Sequence, residues 1–207
     1  MSGKPSDFFI GAIDFFGILV PGIALLVLQG PTLSKLAAIS LPEAHDWWDW
    51  VPALVAAYVA GHFLLGLGVP LNRLAAVAFP DNQDPYFQAV RNQVPLPPQA
   101  DPTRTNMFYA AFSFIRISSP NALAEVERQA AEYKLFRSLT VLFVIDALLT
   151  AAFGPWSVRR IAVDGVLALG AAARFLFLLI WTQRLVFEFF ALLTRERHQA
   201  TRAVDSP

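Results

Sequence analysis

The chain has 207 residues, of which 56% are hydrophobic and 15% charged, with a mean hydropathy of +0.48. A soluble domain carries about 45–50% apolar and about 25% charged residues, so lipid rather than water solvates much of this chain. Sixteen basic and sixteen acidic residues cancel, which excludes a global field directed at nucleic acid. The absence of cysteine excludes disulfides, iron–sulfur clusters and thiolate zinc, and His45, His62 and His198 are too scattered for a histidine metal site. The expectation is an all-α polytopic membrane protein in a single domain, with four transmembrane helices, a small cytoplasmic helical layer, and no cofactor or metal.

The N-terminus is expected to be retained rather than cleaved as a secretory signal: its apolar run is interrupted by Asp14 and no small-residue cleavage site follows. The first span is expected over about residues 8–28, with Gln29, Gly30 and Pro31 as its stop. Pro21-Gly22 falls in its middle, where proline withholds a backbone hydrogen bond and kinks the helix. A packing kink and a gating hinge are both open there. The following loop ends in Trp47, Trp48 and Trp50, an aromatic belt at one headgroup level.

The second span is expected over about 50–71. Ala53, Ala57 and Gly61 recur every four residues, a small-residue stripe that lets another helix approach closely. His62 beside it suits a hydrogen bond across helices, with proton transfer as the sharper alternative.

Residues 73–134 form the loop and helices of the cytoplasmic layer. Six prolines between Phe79 and Thr105 mark an irregular loop with one short helix near Tyr86–Arg91. A short aromatic helix follows over Thr105–Ile117, with Phe108, Phe112 and Ile115 at helical spacing. Ser119 then offers an N-cap and Pro120 a first helical position, opening a helix of up to ~34 residues before Gly154-Pro155. Its first half is charged and its second half, 135–153, is the third span. The fourth span is expected over 162–190, continuing into a cytoplasmic tail, 191–207.

Basic residues gather between spans two and three and in the tail (Arg73, Arg91, Arg104, Arg116, Arg128, Lys134, Arg137, Arg195, Arg197, Arg202). The opposite side has Lys35, Arg159 and Arg160. The positive-inside rule therefore puts both termini in the cytoplasm of a bacterial inner membrane.

Ionisable groups at membrane depth need partners or water. Asp14, Asp146, Arg174, Arg184 and Glu188 stand in or beside the apolar runs. Spans three and four are joined by a short turn, and counting from it puts Asp146 within about one helical turn of Arg174. An Asp146–Arg174 pair is expected. Arg174, Trp181, Arg184 and Glu188 share one face of the fourth helix, with Asp14 and Arg137 as partners for its lower end. Together with His62 they make an intramembrane polar seam. It holds either register-fixing ion pairs or a permeation path; no nucleophile, metal set or phosphate cradle accompanies the carboxylates to support catalysis.

D-F-F-G-x-x-x-P-G-x-x-x-L (Asp14 to Leu26), Y-x-x-G-H (Tyr58 to His62) and E-Y-x-L-F-R-S-L (Glu132 to Leu139) resemble a group of small bacterial inner-membrane proteins. Some of these are membrane components of defence or signalling loci. The resemblance implies no site residue. The leading expectation is a non-enzymatic component that forms homo-oligomers in the lipid bilayer. It would act as a channel-like or membrane-perturbing effector in antiphage defence, under control of a cytoplasmic protein partner and with no direct nucleic-acid contact. The alternatives are a membrane anchor that recruits a soluble protein without transport, and an intramembrane lipid-acting enzyme.

Overall fold

A computed structural model describes residues 15–37, 50–72, 85–93, 103–153 and 157–204. Every element among them is helical. A π-helical turn, Phe15–Leu19, runs into α1 (Val20–Ala37). The rest are α2 (Trp50–Leu67), α3 (Pro85–Gln93), α4 (Arg104–Ser118), α5 (Pro120–Phe153) and α6 (Val158–Val204). Four of these helical segments, Gly17–Ser34, Trp50–Asn72, Pro120–Phe153 and Val158–Gln199, are long and apolar enough to cross a membrane. The protein is an all-α, multi-pass membrane protein.

Pro21 lies just past the opening π-turn. It has no N–H to give to the carbonyl four residues back, that of Gly17. Ser138 Oγ on α5 donates to that carbonyl instead, at 3.3 Å. The first helix does not end at Gln29-Gly30-Pro31, as the sequence suggests: α1 continues to Ala37 with Pro31 inside it. A proline removes one donor, and a membrane helix tolerates the loss. The consequence is that Gln29 is an interior helical residue, 1% exposed.

The first two helices touch backbone to backbone. A Cβ on Gly22 would lie 1.8 Å from the Ala57 carbonyl oxygen, and one on Gly61 would lie 2.0 Å from that of Ile18. Only glycine fits at either crossing position. Ala57 and Gly61 are buried and Ala53 half-buried.

The expected cap on α5 is present: the Ala122 N–H donates to Ser119 Oγ at 3.3 Å, and Pro120 is the first helical residue. The helix is 34 residues long, about 50 Å at 1.5 Å per residue. Antiparallel to it, α6 runs for 47 residues, about 70 Å. Both therefore exceed a hydrocarbon layer of about 30 Å. Their excess length packs with α3 and α4 into a second core made by Phe87, Val90, Met107, Ala111, Ile115, Val126, Val186, Phe187 and Phe190. On α4 the innermost residues are Met107, Ala111 and Ile115, while Phe108 and Phe112 stack half-buried beside them with centroids 6.1 Å apart.

Helix α6 begins at Val158, four residues before the expected start of the fourth span. Arg159, Arg160 and Asp164 are thus part of it, and every depth counted along the helix changes.

A candidate intramembrane polar site

Constant antiparallel register fixes which residues of α5 and α6 share a level. Tyr133 packs on Phe175 with ring centroids 6.4 Å apart, and the Arg174 guanidinium lies 5.9 Å from the Phe136 ring centre. Ten residues further along each helix, the carboxyl groups of Asp146 and Asp164 meet.

The level of Arg174 is crowded with polar groups. Arg137, buried, donates to Asn72 Oδ1 and to the Leu65 carbonyl, both at 3.3 Å, and its stem occupies the space left by Gly68. Lys134 lies against Gly17. Beyond this level α5 is charged: Arg128 bridges Glu125 at 2.7 Å and Glu132 at 2.8 Å, all well exposed. Exposed ion pairs belong in water. The exposed ion pairs on α5 lie beyond its apolar half, and further along α6 Val186, Phe187 and Phe190 belong to the second core.

This corrects the expected pairing of Arg174 with Asp146. Ten residues, about 15 Å of helix, separate their levels. Arg174 is exposed and is held by the rings of Phe136 and, at 5.5 Å, Phe177.

The buried carboxyls lie elsewhere. Asp146, 1% exposed, receives an ion pair from Arg160, whose Nη2 is 3.2 Å from Oδ1 and 3.4 Å from Oδ2. Gln29 Nε2 from α1 donates to the same Oδ1 and also approaches Thr150 Oγ1 at 3.4 Å. The Arg160 guanidinium further donates to the Leu28 carbonyl at 3.4 Å. Asp164, 6% exposed, completes the group. Two of its buried oxygens, Gln29 Oε1 and Asp164 Oδ2, accept no hydrogen bond. Three helices thus converge on two carboxyls, one guanidinium, one amide and one hydroxyl.

Of the expected seam, only Asp146 belongs to this site. Asp14 lies outside the described residues. His62 is exposed on α2, edge-on to Tyr58 at 4.5 Å. Arg184 is exposed over the Tyr86 ring at 5.5 Å, and Glu188 is half-buried on α6. No hydrogen bond or ion pair joins any two of these seam residues among the described residues. Gln29, Arg160 and Asp164 were missed. The available signal was Asp164 itself, an acidic residue in an apolar run at the same distance from the turn as Asp146.

No group of three or more His, Asp or Glu residues that could hold a metal ion occurs among the described residues. No protein-family model, curated protein or solved structure matches the chain.

Proposed function

We propose that the protein is a non-enzymatic component of a bacterial inner membrane, with both termini cytoplasmic, that self-assembles and acts as a channel-like effector. The observation that carries this reading is the Gln29–Asp146–Arg160–Asp164 cluster. A chain that only anchors something needs no charged group at membrane depth, where each one costs several kcal/mol of lost hydration. Retaining three, with two oxygens unpartnered, fits a protein that admits water or ions to that level.

Assembly has its own support. The membrane half of α6 packs chiefly on α5 and turns Val166, Leu169, Gly170 and Ala173 outward. No heavy atom stands within 4 Å of where a Gly170 Cβ would sit. A helix from a second copy can approach closely there. The extramembrane core of α3, α4 and the ends of α5 and α6 offers the surface on which a cytoplasmic protein would act. A role in antiphage defence is part of this proposal through the resemblance of the Asp14–Leu26, Tyr58–His62 and Glu132–Leu139 motifs.

That same folded core favours the second reading, a scaffold that recruits a soluble protein and conducts nothing. Reconstitution in liposomes separates the two. The channel reading expects ion flux, lost in Gly170→Leu together with the oligomer and kept in Gly66→Leu, at another open glycine. Silence of the wild-type protein, with its oligomer intact and its partner present, leaves the scaffold.

A further inference from the structure

We infer that the Asp146–Asp164 pair binds one additional monovalent cation, a proton or a sodium ion, inside the bilayer. Charge requires it. Two carboxylates against the single guanidinium of Arg160 leave one negative charge uncompensated at a depth where lone charges are expensive.

Among the described residues the neighbours offer no other compensation. On α1 the facing groups are Gln29 and the Leu28 carbonyl; on α5 they are Asp146 and Thr150; on α6 they are Arg160 and Asp164. Helix α2 carries no acidic or basic residue besides His62, which is exposed. Arg174 is ten residues away along α6 and engaged with aromatic rings.

Geometry supplies the seat. Two carboxylates are pure acceptors, so their oxygens meet comfortably only with a cation between them. Asp164 Oδ2 and Gln29 Oε1 are buried, unpartnered and both belong to side chains that reach Asp146. A proton on one carboxyl would donate to the other. A sodium ion would take the same hard oxygen donors, with Thr150 Oγ1 beside them. The shared chemistry is one positive charge received by oxygen.

This inference concerns the cluster on which the proposed function rests and names what it handles. Binding is nevertheless measurable without transport: a protein that binds the cation and passes none overturns the channel reading and leaves this one standing.

The experiment is infrared spectroscopy and thermal unfolding of the full-length protein in lipid nanodiscs, titrated from about pH 5 to about pH 9 in choline chloride and then in sodium chloride. If the cation is a proton, a protonated-carboxyl band persists at neutral pH, disappears on alkalinisation, and is absent in Asp146→Asn and Asp164→Asn. If it is sodium, sodium but not choline raises the unfolding temperature of the wild type in a saturable way, and Asp164→Asn removes the response. The sodium titration needs no variant, so misfolding of either substitution does not blunt it. A wild-type protein with no protonated-carboxyl band across the range and no sodium-dependent shift overturns the inference.

Discussion

Asp146 and Asp164 stand at matching distances from the turn between α5 and α6, seven residues before Phe153 and six after Val158. That symmetry places both carboxyls about 10 Å inside the outer helix ends and against each other. Arg160, one turn before Asp164 on the same helix, reaches inward to them from a half-exposed position. The acidic pair, not the arginine further along α6, is what the helices enclose.

The pairing predicts a double-mutant cycle. Asp146→Asn and Arg160→Gln should couple by about 1 kcal/mol, since Arg160 is partly screened by its exposure. Asp146→Asn and Arg174→Gln should be additive within about 0.5 kcal/mol, because no shared partner links them. Chemical denaturation in detergent measures both, and strong coupling only in the second cycle would restore the Asp146–Arg174 pair.

The Gly17 carbonyl gives a second cycle. Ser138→Ala should cost about 1 kcal/mol, the worth of a hydrogen bond to a carbonyl that Pro21 cannot serve. In a Pro21→Ala background the new N–H can close the α-helical bond, and the same change should cost about half as much or less. Equal costs in both backgrounds would detach Ser138 from the proline.

At the α1–α2 crossing, Gly61→Ala should destabilise by about 3 kcal/mol, the upper end for overpacking, since its Cβ would meet the Ile18 backbone. Gly66→Ala, five residues on in open space, should be neutral or slightly stabilising. Comparable unfolding midpoints for the two variants would contradict the backbone contact.

Outside the membrane, the hydrogen bond from Arg128 holds the Glu125 carboxyl below its ordinary range, while Glu125 raises Arg128. A depressed carboxyl contributes stability above its unfolded pKa and loses it as pH falls through the folded value. Glu125→Gln should therefore cost a few tenths of a kcal/mol near neutrality and nothing once both states are protonated, about pH 3 and below. Added salt should shrink the difference. A pH-independent cost would mean that packing, not charge, is lost.

Much of the helical layout is readable from local signals. Ser119-Pro120 marks the start of α5, and the short helices before it emerge from proline spacing and aromatic periodicity. What failed was depth. Arg159-Arg160 looks like a charged loop, so the fourth span was started at Ala162, and four residues of error brought Arg174 within apparent reach of Asp146. Pro31 was read as a stop by the rule for water-soluble helices, which hid Gln29 from the site. Asp164 needed the true helix start before its register with Asp146 meant anything. Local chemistry announces helices; only the antiparallel register says which charges share a level.

The absence of cysteine makes that register directly measurable by single-cysteine labelling in intact membranes. Val158, Leu169 and Phe177 are 74%, 73% and 56% exposed on the surface of α6, so protein packing protects none of them. A membrane-impermeant maleimide should label Val158→Cys from outside only and Phe177→Cys from the cytoplasmic side only, and should leave Leu169→Cys untouched from either. Labelling of Leu169→Cys with protection of Phe177→Cys would put Arg174 back in the middle of the bilayer and contradict the account.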